Sequence, residues 1–254
     1  MSPLLMARDI TLGFRESAGI TRLLSGFNFS TDAGSNVAII GASGVGKSSL
    51  LRVLSGLERP LAGDVFYQGK RLTGPHPQLG MVFQTPGLLP WLNLRQNVAF
   101  GLNFHHQPRL SRQQRQQRIS QAIEAVGLSL HQHKYPIQLS GGMAQRVALA
   151  RCLARTPGVL LLDEPFSALD PVSRQEMQQL VSTIARDQQL SVLLVTHDID
   201  EALLMTDRVL LLNGSEGGTF KEWRPRIPSP REQALDELSA ARLDILKAMR
   251  DERG

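Results

Sequence analysis

A short apolar run, Val37-Ala38-Ile39-Ile40, leads straight into Gly41-Ala42-Ser43-Gly44-Val45-Gly46-Lys47-Ser48, and leucines at 50, 51, 54 and 57 come next. An apolar, partly β-branched run of this length that ends at a glycine cluster reads as a buried parallel strand. The leucine spacing predicts a helix over 48–57 with one apolar face. Residues 41–48 match the pattern G-x-x-x-x-G-K-[ST], which average composition would produce in about one chain of this length in a hundred. A strand, a glycine turn and a helix in that order belong to α/β folds with a mostly parallel sheet.

The chemistry of such a turn is phosphate binding. A triphosphate presents many oxygens, and several donors have to converge on them. Glycines let the backbone curl until its N–H groups point inward. The next helix adds free N–H groups and the positive end of its dipole. The candidate nucleotide cradle is therefore Gly41, Ala42, Ser43, Gly44, Val45, Gly46, Lys47, Ser48 and Ser49. Lys47 is expected to reach the β- and γ-phosphates, and the Ser48 hydroxyl to bind Mg²⁺. A second apolar run, Val159-Leu160-Leu161-Leu162, ends in Asp163-Glu164. Downstream of a phosphate cradle, Asp163 at a strand end is the expected magnesium ligand. Glu164 is the expected general base for the attacking water.

The rest of the chain alternates. Residues 5–40 read as strands with turns, and 60–85 set short apolar runs between glycines and prolines, the pattern of hairpins. The stretch 94–155 is mostly helical, with Ile119, Ala122, Ile123 and Val126 along one side of 109–127 and Arg112, Arg115 and Arg118 along another. Strand signals at 159–162 and 191–195 flank a helical stretch, 172–189, and a helical segment at 198–206 precedes the run 208–212. Residues 224–230 read as an extended connector. Residues 231–250 read as an amphipathic helix using Leu235, Leu238, Ile245 and Met249.

Composition narrows the function classes. With 254 residues, 42% hydrophobic and 20% charged, the chain is long enough for one large domain or two small ones and is not a disordered type. No apolar run approaches the roughly 18–20 residues that a bilayer requires, so a membrane role needs a separate partner. The N-terminus lacks the pattern of a secretory signal. One cysteine, Cys152, excludes an internal disulfide and a cysteine-only metal site. His105-His106 and the pair His131 and His133 are too isolated to suggest a metal site. Residues 1–158 hold 17 basic and 6 acidic groups, and residues 159–254 hold 11 and 17. A basic half raises the question of nucleic acid.

Leu139-Ser140-Gly141-Gly142-Met143-Ala144-Gln145-Arg146 resembles the signature motif of ATP-binding cassette (ABC) ATPases. The family's other motifs occur in order across residues 4–213. Gln84 matches the Q-loop glutamine, Ser167-Ala168-Leu169-Asp170 the D-loop and His197 the switch histidine. Phe14 lies where the family has an aromatic that stacks on adenine, more often tyrosine. Ala144 departs from the usual Gln or Arg. The resemblance implies a P-loop NTPase core with a mostly parallel sheet, an antiparallel β subdomain and an inserted helical signature subdomain. It places one ABC ATPase domain over 1–223, with the helical part at about 88–155, and a connector and short helix over 224–254.

The resemblance also implies a mechanism. Two cassettes face each other head to tail, each ATP lying between the P-loop of one and Ser140, Gly141 and Gly142 of the other. His197 contacts the γ-phosphate and orients water with Glu164, Gln84 senses Mg²⁺ and the γ-phosphate, and Asp170 ties the two sites together.

Three classes of cassette ATPase compete: a transporter motor, a soluble enzyme of nucleic-acid or translation processes, and a non-hydrolysing domain. One P-loop, one signature, no heptad run and a complete hydrolytic set favour the first. Residues 85–98, with Leu88-Leu89-Pro90-Trp91 near the start, look like the segment that docks the membrane subunit in the nitrate/sulfonate/taurine importer group. Residues 69–75, 163–170 and 224–226 are also similar to that group. The expectation is a homodimeric ATPase subunit of a bacterial importer of a small anion or organic solute. It would be peripheral on the cytoplasmic face of the inner membrane, bound to a permease near Leu88–Trp91 and served by an external solute-binding protein. An exporter subunit is the alternative within the class.

No nucleic acid is expected, because the basic half holds the phosphate cradle and the acidic half holds Asp163, Glu164, Asp170 and Asp198. ATPase activity should not change when DNA or RNA is added. Strong salt-dependent DNA binding in a filter or anisotropy assay would reverse this reading.

Overall fold

The computed structural model describes residues 3–16, 19–104, 107–212, 220–228 and 230–251. His105 and His106 lie outside the described residues. The chain divides into two compact units, 1–75 with 191–254, and 76–190. Elements are numbered in chain order.

In the first unit the apolar run becomes β3 (Asn36–Ile40), buried from Val37 onward. It pairs in parallel with β8 (Ser191–Val195) on one edge and β9 (Arg208–Leu212) on the other. A strand hydrogen-bonded on both edges, with side chains covered on both faces, needs the continuous apolar sequence seen here. β10 (Phe220–Trp223) extends this sheet antiparallel to β9, a strand that no periodicity announced. The expected antiparallel sheet is present, in the order β2-β1-β4-β5, from β1 (Leu5–Glu16), β2 (Gly19–Thr31), β4 (Ala62–Tyr67) and β5 (Lys70–Arg71).

Helix α1 (Lys47–Leu54) comes directly after the glycine turn, with Leu50, Leu51 and Leu54 buried. The expected fourth leucine does not join them. The helix stops at Ser55, Gly56 turns left-handed (φ 76°), and Leu57 is left 47% exposed. Helix α6 (Ile199–Met205) and helix α7 (Leu235–Asp251) pack together over β3 and β9. In α7 Leu238, Ala241, Ile245, Ala248 and Met249 form the inward stripe. Leu235 was expected on that stripe but is 68% exposed, because it opens the helix before the stripe reaches the cluster.

In the second unit β6 (Leu79–Val82) pairs in parallel with β7 (Val159–Asp163). Helix α2 (Leu94–Ala99) and helix α3 (Arg112–Ala125) each begin with a capping box, Asn93 with Gln96 and Ser111 with Gln114. Helix α4 (Gly141–Leu153) packs against both of them, β6 and helix α5 (Pro171–Asp187). Ile119, Ala122, Ile123 and Val126 are buried, as the spacing requires. None of the helices described is long and apolar enough to cross a membrane.

Cys152 on α4 faces β6 at Gly80, where an added Cβ would overlap the cysteine sulfur. Burial pushes the Cys152 thiol up to about 12, against the pull of the nearby Arg155 and Arg151 charges. Gly80→Ala should therefore lower stability by about 1–3 kcal/mol in denaturant unfolding. Native Cys152 should stay unmodified by a thiol reagent at pH 8 and react once denaturant is added.

Candidate nucleotide-binding site

The glycine turn leaves β3 at a point of close approach. A Cβ on Gly41 would lie 2.7 Å from the Leu212 carbonyl oxygen and 3.2 Å from Val45. Gly44 and Gly46 take left-handed conformations (φ 83° and 99°) that cost a side-chain-bearing residue about 1–2 kcal/mol. Gly46 caps α1 with no side-chain bond, and the first turn holds no acidic residue. The positive end of the helix is therefore not offset from within the helix. Ala42, Ser43 and Gly44 are exposed, so an incoming anion can reach the loop. Lys47 is only 5% exposed, and its ammonium donates to the carbonyls of Gly41 (3.0 Å) and Ala42 (2.9 Å). The cation is thereby held over the loop that it would serve. Ser48 and Ser49 lie half-buried in the first turn of α1. Phe14, on β1, is 53% exposed, a ring with a face available for stacking.

His197 lies two residues beyond β8. Val195 is opposite Ile39 in the parallel register, and the Thr196 N–H donates to the Ile39 carbonyl (3.2 Å). The glycine turn and His197 therefore leave the same ends of paired strands. The backbone is pinned on both sides of the histidine. The buried Thr196 hydroxyl donates to Glu201 (2.6 Å) and accepts from the Asp198 N–H (3.0 Å). The Asp198 carboxylate accepts from the N–H groups of Asp200 (2.8 Å) and Glu201 (3.2 Å), capping α6.

In the second unit Asp163 closes β7 and is 6% exposed. Glu164, the next residue, is left-handed (φ 45°). Its carbonyl accepts from the Ser167 hydroxyl (2.9 Å), and the Gln84 side-chain amide donates to that same hydroxyl (3.1 Å). Q-loop, strand-end acids and D-loop are thus joined through Ser167, a residue the sequence reading named only as the start of a motif. Asp170 caps α5, accepting from the Ser173 N–H (3.0 Å), and Ser173 holds its carboxyl below the usual range. The Asp-Pro pair at 170–171 is a helix-start signal that accounts for this local role. Ser140 caps α4, its hydroxyl accepting from the Met143 N–H (3.3 Å). A Cβ on Gly141 would meet open space, and one on Gly142 would touch only Ser173. Packing within the chain thus does not call for glycine at 141, whereas close approach of a ligand to the backbone would.

Three further polar residues shape this region. Gln145 on α4 donates to the Phe83 carbonyl (2.9 Å), one residue before Gln84. Arg151 on the same helix donates to the carbonyls of Pro86 (2.7 Å) and Gly87 (2.8 Å). Asn97, fully buried, accepts from the Leu89 N–H (2.8 Å) and donates to the Leu92 carbonyl (2.8 Å). The only sequence cue to Asn97 was a polar residue beside Leu94 and Val98 on a short helix. Between these anchors Trp91 is 70% exposed and does not serve as a core side chain.

A family model described as "ABC transporter" matches residues 24–167, from β2 through Ser167. The chain belongs to the ABC transporter family. It is 46% identical over 233 residues to the aliphatic sulfonates import ATP-binding protein SsuB 1 of Xanthomonas axonopodis pv. citri (strain 306), covering 91% of this chain and 92% of that one. It is 43% identical over 195 residues to the nitrate import ATP-binding protein NrtD of Synechococcus elongatus, covering 77% and 71%. Among solved structures it is similar to a dimeric ATP-binding cassette in a post-hydrolysis state bound to ADP and Pi. That likeness has a TM-score of 0.75 and 29% identity and covers 85% of this chain and 97% of the other. The fold is that of the ABC ATPases, and the chain binds and hydrolyses ATP.

Glu164→Gln should retain ATP binding and lose hydrolysis by roughly 10²–10⁴-fold, the scale of a removed general base. An ATP-dependent dimer should then persist on size-exclusion chromatography. Normal turnover in this variant would remove Glu164 from the role of base.

Proposed function

We propose that the chain is the ATPase subunit of a bacterial importer for a small anion or organic solute, with sulfonates, nitrate and taurine as the candidate class. Two relatives, SsuB 1 and NrtD, are importer subunits for aliphatic sulfonates and nitrate, which supports this reading. The observation that carries it is the exposed Trp91, on a segment stiffened by Asn97 and Arg151 and seven residues from Gln84. A rigid, exposed aromatic within an apolar Leu-Leu-Pro-Trp loop suits a groove or helix of a membrane partner. The subunit would sit on the cytoplasmic face of the inner membrane, with a permease bound near Leu88–Trp91 and an external solute-binding protein completing the system.

In this reading residues 1–223 form one ATPase domain, with a helical part at about 88–155, and 224–254 are an appended connector and helix. Gly41 to Ser49 cradle the triphosphate, Phe14 stacks on the base and Lys47 neutralises the β- and γ-phosphates. A second copy, head to tail, presents the N–H groups of its Ser140, Gly141 and Gly142 to the γ-phosphate. Glu164 polarises the attacking water, and His197 contacts the γ-phosphate and orients that water. Asp170 couples the two sites. Gln84 reports the state of the site to the segment that carries Trp91.

The oxygen donors Ser48, Asp163 and Gln84 fit Mg²⁺, and they are the residues that would hold it. Among the described residues no cluster of three or more His, Cys, Asp or Glu could hold a metal unaided. That suits an ion bound mainly through one carboxylate and the nucleotide's phosphates. When bound, Mg²⁺ would neutralise phosphate charge.

Trp91→Ala should leave the ATPase of the isolated subunit within about twofold and weaken its co-purification with the permease at least tenfold, the scale of a hot-spot aromatic. Undiminished co-purification would remove the tryptophan from the docking surface. Substrate class is read by ligand screening of the cognate binding protein.

A further inference from the structure

The C-terminal segment grips a single short helix at both ends, and that helix begins directly after His197 and Asp198. Helix α6 has seven residues, too few to be stable alone. Its last carbonyls have no partner within the helix. Arg231, from the appended segment, donates one guanidinium nitrogen to the Leu203 carbonyl (2.8 Å) and the Thr206 carbonyl (2.5 Å). Its other terminal nitrogen pairs with Asp207. A cation at a helix C-terminus also complements the dipole. At the opposite end Arg242 of α7 pairs with Asp200 in the first turn of α6 (3.3 Å). Between these contacts Ile245 and Ala248 bury against Ile199, Ala202 and Leu203. Helix α7 is held in turn by Trp223, whose indole N–H donates to Asp244 (2.6 Å).

We infer that the C-terminal segment is a brace that positions the switch histidine, with Arg231 as its principal positioning residue. The inference rests on the proposed role of His197. Thr196, His197 and Asp198 are continuous with α6 through the Thr196–Glu201 bond and the Asp198 cap. A rotation or slip of α6 therefore carries the histidine with it. The P-loop is built on β3 and α1, whereas both arginine grips fall on α6 and its ends. Loss of an arginine grip, which leaves the apolar packing of α6 and α7 on β3 in place, thus acts on the chemical step more than on nucleotide binding.

The test is steady-state ATPase of the full chain for the wild type, R231A, R231K, H197A and the double variant H197A/R231A. Expected results are a tenfold or greater fall in kcat for R231A, a KM for ATP within twofold of wild type and partial recovery in R231K. The double variant should be no slower than H197A alone. Where R231A melts too low to assay, R242A loosens the other end of α6 and should show the same split in kcat and KM. H197A impaired with R231A and R242A at wild-type kcat overturns the brace alone. An additive loss in the double variant overturns it too, because Arg231 would then act outside the histidine. H197A at wild-type turnover overturns the histidine's role and the brace with it.

Discussion

The parallel pairing of β3 with β8 is the constraint on which the first unit depends. Each strand is five residues long, one polar residue followed by four apolar ones, and each buried Val, Ile or Leu contributes roughly 1.5–3 kcal/mol relative to exposure. In a parallel pair the two chains run the same way, so both leave the sheet at the same end. Strand β3 exits into the glycine turn, and β8 exits into Thr196-His197-Asp198. Two segments far apart in the sequence thus acquire a fixed register from the strand pairing itself. A one-residue slip would exchange the side chains on the two buried faces of the strand that slipped, so the close packing of each face protects the alignment.

The second unit reaches the same end through a helix. One face of α4 packs on β6, and two of its polar side chains, Gln145 and Arg151, hold the backbone just before and after Gln84. The helix that opens with Ser140-Gly141-Gly142 therefore also sets the path of the Q-loop. Burial lowers the affinity of Arg151 for its proton, yet a guanidinium stays charged at any physiological pH. Its two bonds to carbonyls are charge-assisted and hold the loop at moderate cost. Ser167 closes the arrangement by accepting from Gln84 and donating to the Glu164 carbonyl.

Elements with a strong period are legible in the sequence. The run 37–40, the α3 stripe from Ile119 to Val126, and the runs at 159–162, 191–195 and 208–212 all took the forms that their spacing required. So did the glycine turn. The features that were not legible depend on partners distant in sequence. β10 exists because β9 offers an edge and Trp223 finds a partner on α7, and neither fact is local. Leu57 and Leu235 have apolar side chains but fall outside the helix or stripe that would bury them. The anchoring roles of Asn97, Gln145 and Arg151 are invisible in a pattern of apolar residues, since each is a polar group whose value lies in one particular carbonyl. Asp170 carried a family role in the sequence and has a plain capping role in the fold.

The backbone at Glu164 sets a local trade. A left-handed conformation at a residue with a side chain costs on the order of 1–2 kcal/mol, and asparagine or glycine would relieve much of it. The chain keeps glutamate there, on the strand-end turn before Pro165. About ten such positions would exhaust the marginal stability of a typical domain. Asp9, Gln68, Thr156 and Gln189 carry the same conformation, so what sets Glu164 apart is its place: the turn fixes the direction in which the chain leaves β7 immediately after Asp163.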